Sequence, residues 1–162
     1  MRRLMTLSLC AMAATALFSL TSGVGFAQAS DPVMGTWTFN PAKSTFTPGP
    51  GFKTGTVTYA LGTPGIKVSV EAVTANGEKL QWGFAGDYDG KEYPVTGNPD
   101  ADLVVLKRID TRTTEASYKK AGKPTLTSTR VLSADGKTLT VTVKGTNAKG
   151  ETVNNVLVFD KG

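Results

Sequence analysis

Apolar and polar residues alternate along several stretches of this chain. Apolar side chains occupy every second position in residues 66–70, 80–84 and 139–143. Because successive side chains of a β-strand point to opposite faces, each run predicts a strand with one buried and one solvent-facing side. No stretch shows a sustained helical period. Val and Thr, which suit a pleated and half-buried surface, are abundant. The pattern therefore predicts an all-β protein.

Turn-forming pairs separate these runs at short intervals, among them Asn76-Gly77, Ala121-Gly122 and Asp135-Gly136. Gly and Asn or Asp readily adopt the positive φ angles that tight hairpins need. We therefore predict about ten strands that pair as an antiparallel meander. Their expected bounds are 34–40, 54–61, 65–74, 79–87, 91–95, 102–109, 113–120, 123–132, 137–146 and 152–160. The Pro- and Gly-rich segment from Pro41 to Lys53 is expected to be a loop.

A meander of this length can close into a single antiparallel up-and-down β-barrel of about eight to ten strands, which removes the exposed sheet edges. A two-sheet sandwich is the competing architecture. Few connections are long enough to cross from one sheet to another, and this favours the barrel. Residues 66–78 also resemble residues 139–151 weakly, which supports a hairpin at both places.

Residues 1–29 have the features of a secretory signal peptide. Arg2 and Arg3 precede an apolar stretch from Leu4 to Leu20, and Ala27-Gln28-Ala29 fits the small-residue cleavage pattern. The apolar stretch is short for a membrane span. We expect cleavage after Ala29, a single barrel domain over residues 30–162, and a periplasmic or secreted protein with no stable membrane insertion after cleavage.

The expected mature chain is modestly basic. Two of the 18 Lys and Arg residues, Arg2 and Arg3, leave with the signal peptide, so 16 basic and 13 acidic residues remain, a net charge of +3. The basic residues are spread along the chain, which indicates a solvated surface and no nucleic-acid partner. Cys10, the only cysteine, is also removed, so no disulfide can form.

The first predicted strand carries Gly35-Thr36-Trp37, which resembles the G-x-W signature of the lipocalin and fatty-acid-binding protein superfamily. The resemblance extends, through residues 35–44, 88–97 and 106–110, to small exported bacterial proteins described as lipocalin-like. It implies that Trp37 closes one end of the barrel, with a late-strand basic residue, Arg130, packed over it. The chain lacks the helical segment that follows the first strand in fatty-acid-binding proteins, so a fatty-acid ligand does not carry over.

The residue inventory excludes several chemistries. The chain contains no histidine, and no cysteine follows Ala29. Ser-His-Asp and Cys-His nucleophile systems and imidazole or thiolate metal sites therefore cannot be built. Asp87 and Asp89 could open a calcium loop or form a glycosidase pair, but the later calcium ligands do not follow, and a capped turn is favoured. We expect no enzyme activity, no metal and no cofactor.

The barrel interior is the candidate site, either as a ligand pocket or as a filled core. The candidate interior residues are Tyr59, Val68, Val70, Trp82, Phe84, Leu139 and Val141. The leading hypothesis is non-covalent binding of a small apolar or amphipathic molecule. The main alternative is a protein-binding barrel, such as an inhibitor or an envelope accessory factor, that acts through the loops from Pro41 to Lys53 or from Gly97 to Asp102. A third alternative is a hydrolase with a carboxylate pair facing a cleft.

Overall fold

The computed structural model describes residues 31–162, which form ten β-strands and one short 3-10 helix. The predicted signal peptide, residues 1–29, lies outside the described residues. The strands are β1 Gly35–Phe39, β2 Phe52–Leu61, β3 Ile66–Thr74, β4 Lys79–Gly86, β5 Glu92–Thr96, β6 Leu103–Arg108, β7 Thr113–Lys120, β8 Lys123–Leu132, β9 Thr138–Thr146 and β10 Thr152–Lys161, and the 3-10 helix is Pro41–Lys43. From residue 31 onward, no helix is both long and apolar enough to cross a membrane.

The ten strands close into one antiparallel barrel. Each strand pairs with its neighbours in sequence, and β1 also pairs with β10, so that Trp37 of β1 lies opposite Val57 on one side and Lys161 on the other. The up-and-down barrel predicted from the alternation is therefore confirmed, and the sandwich is wrong. The observed strand bounds differ from the predicted ones by at most two residues, because hairpin turns and period-two alternation fix both ends of each strand locally.

The segment after β1 has more structure than the predicted loop. Asn40 caps the 3-10 helix by accepting a hydrogen bond from the Lys43 N–H at 3.3 Å, and Pro41 occupies its first position, where the missing N–H is tolerated. Thr45 then exchanges two backbone hydrogen bonds with Val156 of β10, at 2.8 and 2.9 Å. The segment thus continues the edge of β1 along β10 before the chain turns into β2.

The two ends of the barrel differ in how they are covered. At the closed end lie the N-terminal segment 31–34 and the turns 62–65, 87–91, 109–112 and 133–137. At the open end lie the segment 40–51 and the turns 75–78, 97–102, 121–122 and 147–151. The core is densest at the closed end, where Val33, Trp37 and Leu139 have almost no exposed surface.

Side chains alternate between the interior and the solvent as the strand pattern requires. In β3, Ile66 and Val68 are buried inside the barrel, whereas the alternate residues Lys67 and Ser69 are exposed. Towards the open end the interior residues become only partly buried, as at Val141 and Val143 of β9. The barrel is therefore packed solid at one end and unfilled at the other.

Candidate functional site

The unfilled part of the barrel is a cavity of about 580 Å³. It extends from the open end, where the segment 46–52 and the turns at 98–100 and 147–151 surround its mouth, down to Tyr59 and Arg130 near the closed end. Ligand pockets in proteins commonly occupy about 300–1,000 Å³. The cavity is therefore large enough for one small organic molecule.

The cavity walls are mainly aliphatic and aromatic. Six of the seven predicted interior residues line the cavity, namely Tyr59, Val68, Val70, Trp82, Phe84 and Val141. The seventh, Leu139, is fully buried in the core cluster and lies outside the cavity lining. Because β9 begins at the closed end, Leu139 packs in the solid part of the barrel, and the next interior residue, Val141, reaches the cavity.

Aromatic rings form one side of the wall. The rings of Trp82 and Phe84 stack with centroids 6.3 Å apart, and the ring of Tyr118 meets Trp82 edge-on at the same separation. Aromatic contacts of this kind fix the rings in place. The wall therefore offers a fixed aromatic surface to whatever enters. Tyr118 belongs to the interior face of β7 with Thr114 and Ala116, an alternation that could have revealed it in the sequence.

A second aromatic cluster lies beside the mouth. The Phe46 ring contacts the rings of Phe39 and Phe52 edge-on, with centroids 6.0 and 5.3 Å away. A side chain at Gly51 would overlap the Phe46 ring, so glycine at this position leaves the space that the ring occupies. Phe46 and Phe52 both line the cavity. The segment 44–52 thus forms an apolar wall beside the mouth.

A buried guanidinium group lies at the base of the cavity. Arg130 of β8 is only 8% exposed and lines the cavity. Its guanidinium carbon stands 4.8 Å from the centroid of the Tyr59 ring, and its Nη2 donates a 3.1 Å hydrogen bond to the Tyr88 hydroxyl. The Nε atom is buried and has no hydrogen-bond partner among residues 31–162. A buried donor without a partner costs free energy.

The Asp31 carboxylate neutralises part of the positive charge of Arg130. Its Oδ2 accepts hydrogen bonds from Nη2 of Arg108 at 2.7 Å and from the Tyr88 hydroxyl at 3.1 Å, and lies 3.6 Å from Nη2 of Arg130. Burial acts to raise the pKa of Asp31, but hydrogen bonds from Arg108 and the Val33 N–H, with the charge of Arg130, outweigh it and lower the pKa. One carboxylate thus faces two guanidinium groups, which leaves one positive charge.

The tyrosines of this region remain protonated at neutral pH. Burial raises the pKa of Tyr59 and of Tyr88 although Arg130 opposes it, and burial raises the pKa of Tyr118 to about 12. Tyr59 and Tyr118 both line the cavity. They are therefore neutral hydroxyl groups that can donate a hydrogen bond to an anion or accept one from Arg130.

Trp37 packs at the closed end with a different cation from the expected one. Its side chain is fully buried, and its Nε1 donates a 2.7 Å hydrogen bond to the Val33 carbonyl. The cation over its ring is Lys161, whose Nζ is 5.2 Å from the centroid. Arg130 lies over Tyr59 instead. The register explains the difference, because Lys161 is directly opposite Trp37 in the β1–β10 pair.

The acidic pair considered in the sequence lies outside the cavity. Asp87 and Asp89 are in the turn between β4 and β5, where their carboxylates accept backbone hydrogen bonds from Tyr88 and Lys91. The bonds from the Lys91 backbone and side chain lower the pKa of Asp89 to about 2. A general acid needs a raised pKa, and Asp89 has the opposite. Within residues 31–162 no three metal-ligating side chains lie close enough together to hold an ion.

Three residues of the site were not predicted as site residues from the sequence. Asp31 and Arg108 are distant in sequence, and Tyr88 lies in a turn. Only closure of the barrel brings them together beneath Arg130.

Compared with known proteins, the chain matches no family model, and no curated protein matches it significantly.

Proposed function

We propose that this protein is an exported, non-enzymatic barrel that holds a small amphipathic molecule, with the apolar part in the cavity and an anionic group at Arg130. The observation that carries the proposal is a buried guanidinium group at the base of a cavity whose walls are mainly apolar. The closed ten-strand barrel is compatible with a calycin-like fold, and membership of the lipocalin-like proteins is part of the proposal. Export is part of the proposal because residues 1–29 have the sequence features of a signal peptide.

The walls favour an apolar ligand body. Val68, Val70, Trp82 and Phe84 present hydrocarbon and ring surface to the cavity. Each Å² of apolar surface removed from water contributes about 25 cal/mol, so a ligand that covers these residues gains affinity from both surfaces. A strongly polar molecule such as a sugar would lose its hydrogen bonds to water here without replacement. The ligand class is therefore narrowed to molecules with a substantial apolar part.

The base of the cavity favours an anionic end group. Arg130 shares Asp31 with Arg108, so the three groups together carry one uncompensated positive charge. Charged groups are costly to bury unless they are paired. A carboxylate, sulfate or phosphate monoester beside the Arg130 guanidinium group would supply the missing negative charge and accept a charge-assisted hydrogen bond from it. Tyr59 and Tyr118 also line this cavity, and their neutral hydroxyl groups are possible hydrogen-bond donors.

Binding without catalysis fits the available side chains. The chain has no histidine, and its one cysteine is Cys10 in the predicted signal peptide. Tyr59 and Tyr118 have raised pKa values and are poor bases at neutral pH. Nothing among the cavity residues supplies a nucleophile paired with a base, as covalent catalysis requires.

Native mass spectrometry of the mature protein recovered from its own bacterium tests this proposal. We expect an extra mass that is lost on denaturation and that belongs to an amphipathic anion. The matched variants are Ala116→Phe, which fills the cavity, and Ser117→Phe, which adds the same ring to the exposed face of the same strand. Ala116→Phe should lose the extra mass and Ser117→Phe should keep it. A bare mass, with no uptake from a panel of lipids, would instead favour a protein partner at the loops.

A further inference from the structure

The Asp31 carboxylate interacts with two arginines at different distances. Arg108 is the nearer, with a 2.7 Å hydrogen bond from its Nη2 to Oδ2, whereas Nη2 of Arg130 is 3.6 Å from the same oxygen. Arg130 reaches Asp31 through the Tyr88 hydroxyl, which accepts from Arg130 and donates to Asp31, each at 3.1 Å. The stronger pair therefore forms outside the cavity, and the weaker one forms beneath it.

Arg108 also holds Tyr88 in place. Its guanidinium carbon lies 4.2 Å from the centroid of the Tyr88 ring, and its side chain is about one-third exposed at the closed end. Arg108 and Asp31 are both absent from the cavity lining. Neither residue can touch a ligand in the cavity, yet both act on the electrostatic environment of Arg130.

We propose that Asp31 and Arg108 are positioning residues that set the affinity of the cavity for anions, by fixing how much of the Asp31 charge is available to Arg130. This proposal rests on the proposed function, since it concerns the same cavity. Asp31 acts as an internal competitor of the ligand anion. Arg108 weakens that competitor because it draws the carboxylate towards the surface.

The charges give opposite signs for the two substitutions. Without the Asp31 charge, Arg108 and Arg130 are both uncompensated, so an anion in the cavity meets more positive charge and binds more tightly. Without the Arg108 charge, Asp31 compensates Arg130 alone, so the anion meets a neutral pair and binds more weakly. Removing both charges leaves only Arg130, with one positive charge as in the wild type. Coulomb interactions among partly buried charges are strong enough to produce such effects.

Two fluorescent probes of nearly the same shape test the proposal. Anilinonaphthalene sulfonate carries a negative charge, and phenylnaphthylamine is the same aromatic amine without the sulfonate. We expect Asp31→Asn to tighten binding of the anionic probe about tenfold and Arg108→Gln to weaken it by a similar factor. The double variant should lie close to the wild type. Binding of the neutral probe should change far less than binding of the anionic probe in all three variants.

Arg112→Gln is the matched control. Arg112 is an exposed arginine in the turn 109–112 at the same end, and no contact with Asp31 or Tyr88 is found for it within the described chain. This variant removes the same surface charge but should leave both affinities unchanged. Equal effects of Arg108→Gln and Arg112→Gln on the anionic probe would indicate a general surface potential and would overturn the proposal.

The experiment separates failure of this proposal from failure of the proposed function. If the wild-type protein binds neither probe in the cavity, both this proposal and the proposed function are wrong. If it binds both probes but Asp31→Asn and Arg108→Gln change the anionic affinity in the same direction, or not at all, only the assignment of Asp31 and Arg108 falls. Arg108 is partly exposed, so its variant should fold and keeps the test valid if Asp31→Asn is unstable.

Discussion

Arg130 lies over the ring of Tyr59, with 4.8 Å between its guanidinium carbon and the ring centroid. The Tyr59 ring contacts the guanidinium group of Arg130. The N–H groups at the edge of the guanidinium group remain available for hydrogen bonds. A cation stacked in this way and shielded from water gains about 2 kcal/mol. The contact therefore helps to hold a charged side chain inside the barrel, where its Nη2 donates to the Tyr88 hydroxyl.

Arg130→Met should abolish the preference of the cavity for anions. Methionine keeps most of the length and the apolar character of the side chain but removes the charge and the donors. We expect the affinity for anilinonaphthalene sulfonate to fall at least about tenfold, since the loss of a buried charged partner costs about 2–5 kcal/mol. The affinity for phenylnaphthylamine should change little, as fluorescence titration of both probes would show. Equal losses for the two probes would indicate that the variant has simply lost its fold.

The strand pattern predicts the barrel because its determinants are local. Alternation in residues 66–70 assigns Val68 and Val70 to the interior, and Ala121-Gly122 marks a hairpin without knowledge of any distant residue. Each short link then forces neighbouring strands to pair. The one closing pair, β1 with β10, follows once ten strands are present in an up-and-down order.

The charged base of the cavity could not be predicted in this way. Asp31 and Arg108 are 77 residues apart, and Arg130 is 42 residues from Tyr88. Nothing in their local sequence distinguishes a cation that faces a cavity from one that packs over Trp37, and the resemblance to lipocalins favoured Trp37. The choice between Lys161 and Arg130 depends on the register of β10 against β1, which the alternation pattern alone does not fix.

Asp31 should contribute stability that acid removes. Its folded-state pKa is lowered below 3.8, so its contribution is present above the unfolded-state pKa and is lost as the pH falls through the folded value. At pH 7 we expect Asp31→Asn to lower the free energy of unfolding by about 1–3 kcal/mol, because two arginine partners lose a carboxylate. Urea unfolding should show this difference shrinking below about pH 4. A difference that stays constant down to pH 2 would contradict the assignment.

In the turn between β7 and β8, one alanine has a strained backbone conformation that a substitution can relieve. Ala121 has a φ of 49°, a left-handed conformation that is unfavourable for alanine, and Gly122 follows with a φ of 75°. Asparagine tolerates this conformation and commonly precedes glycine in such hairpins. We expect Ala121→Asn to raise the free energy of unfolding by about 0.5–1 kcal/mol in urea titrations. The hydrogen bond from the Ala121 N–H to the Asp102 carboxylate should persist, since it involves no side chain of residue 121. Ala121→Val, which is β-branched, should be destabilising at the same site.

Gly51→Ala should change the kinetics of entry into the cavity. A Cβ at residue 51 would overlap the Phe46 ring, and the ring must leave its place against Phe52 to make room. Because Phe46 lines the cavity beside the mouth, we expect the displaced ring to loosen the wall and to speed dissociation of phenylnaphthylamine about threefold or more in stopped-flow measurements. Gly49→Ala is the matched control, since a Cβ there meets nothing within 4 Å. If both variants release the probe at the wild-type rate, the ligand does not pass Phe46, and entry must occur elsewhere around the mouth.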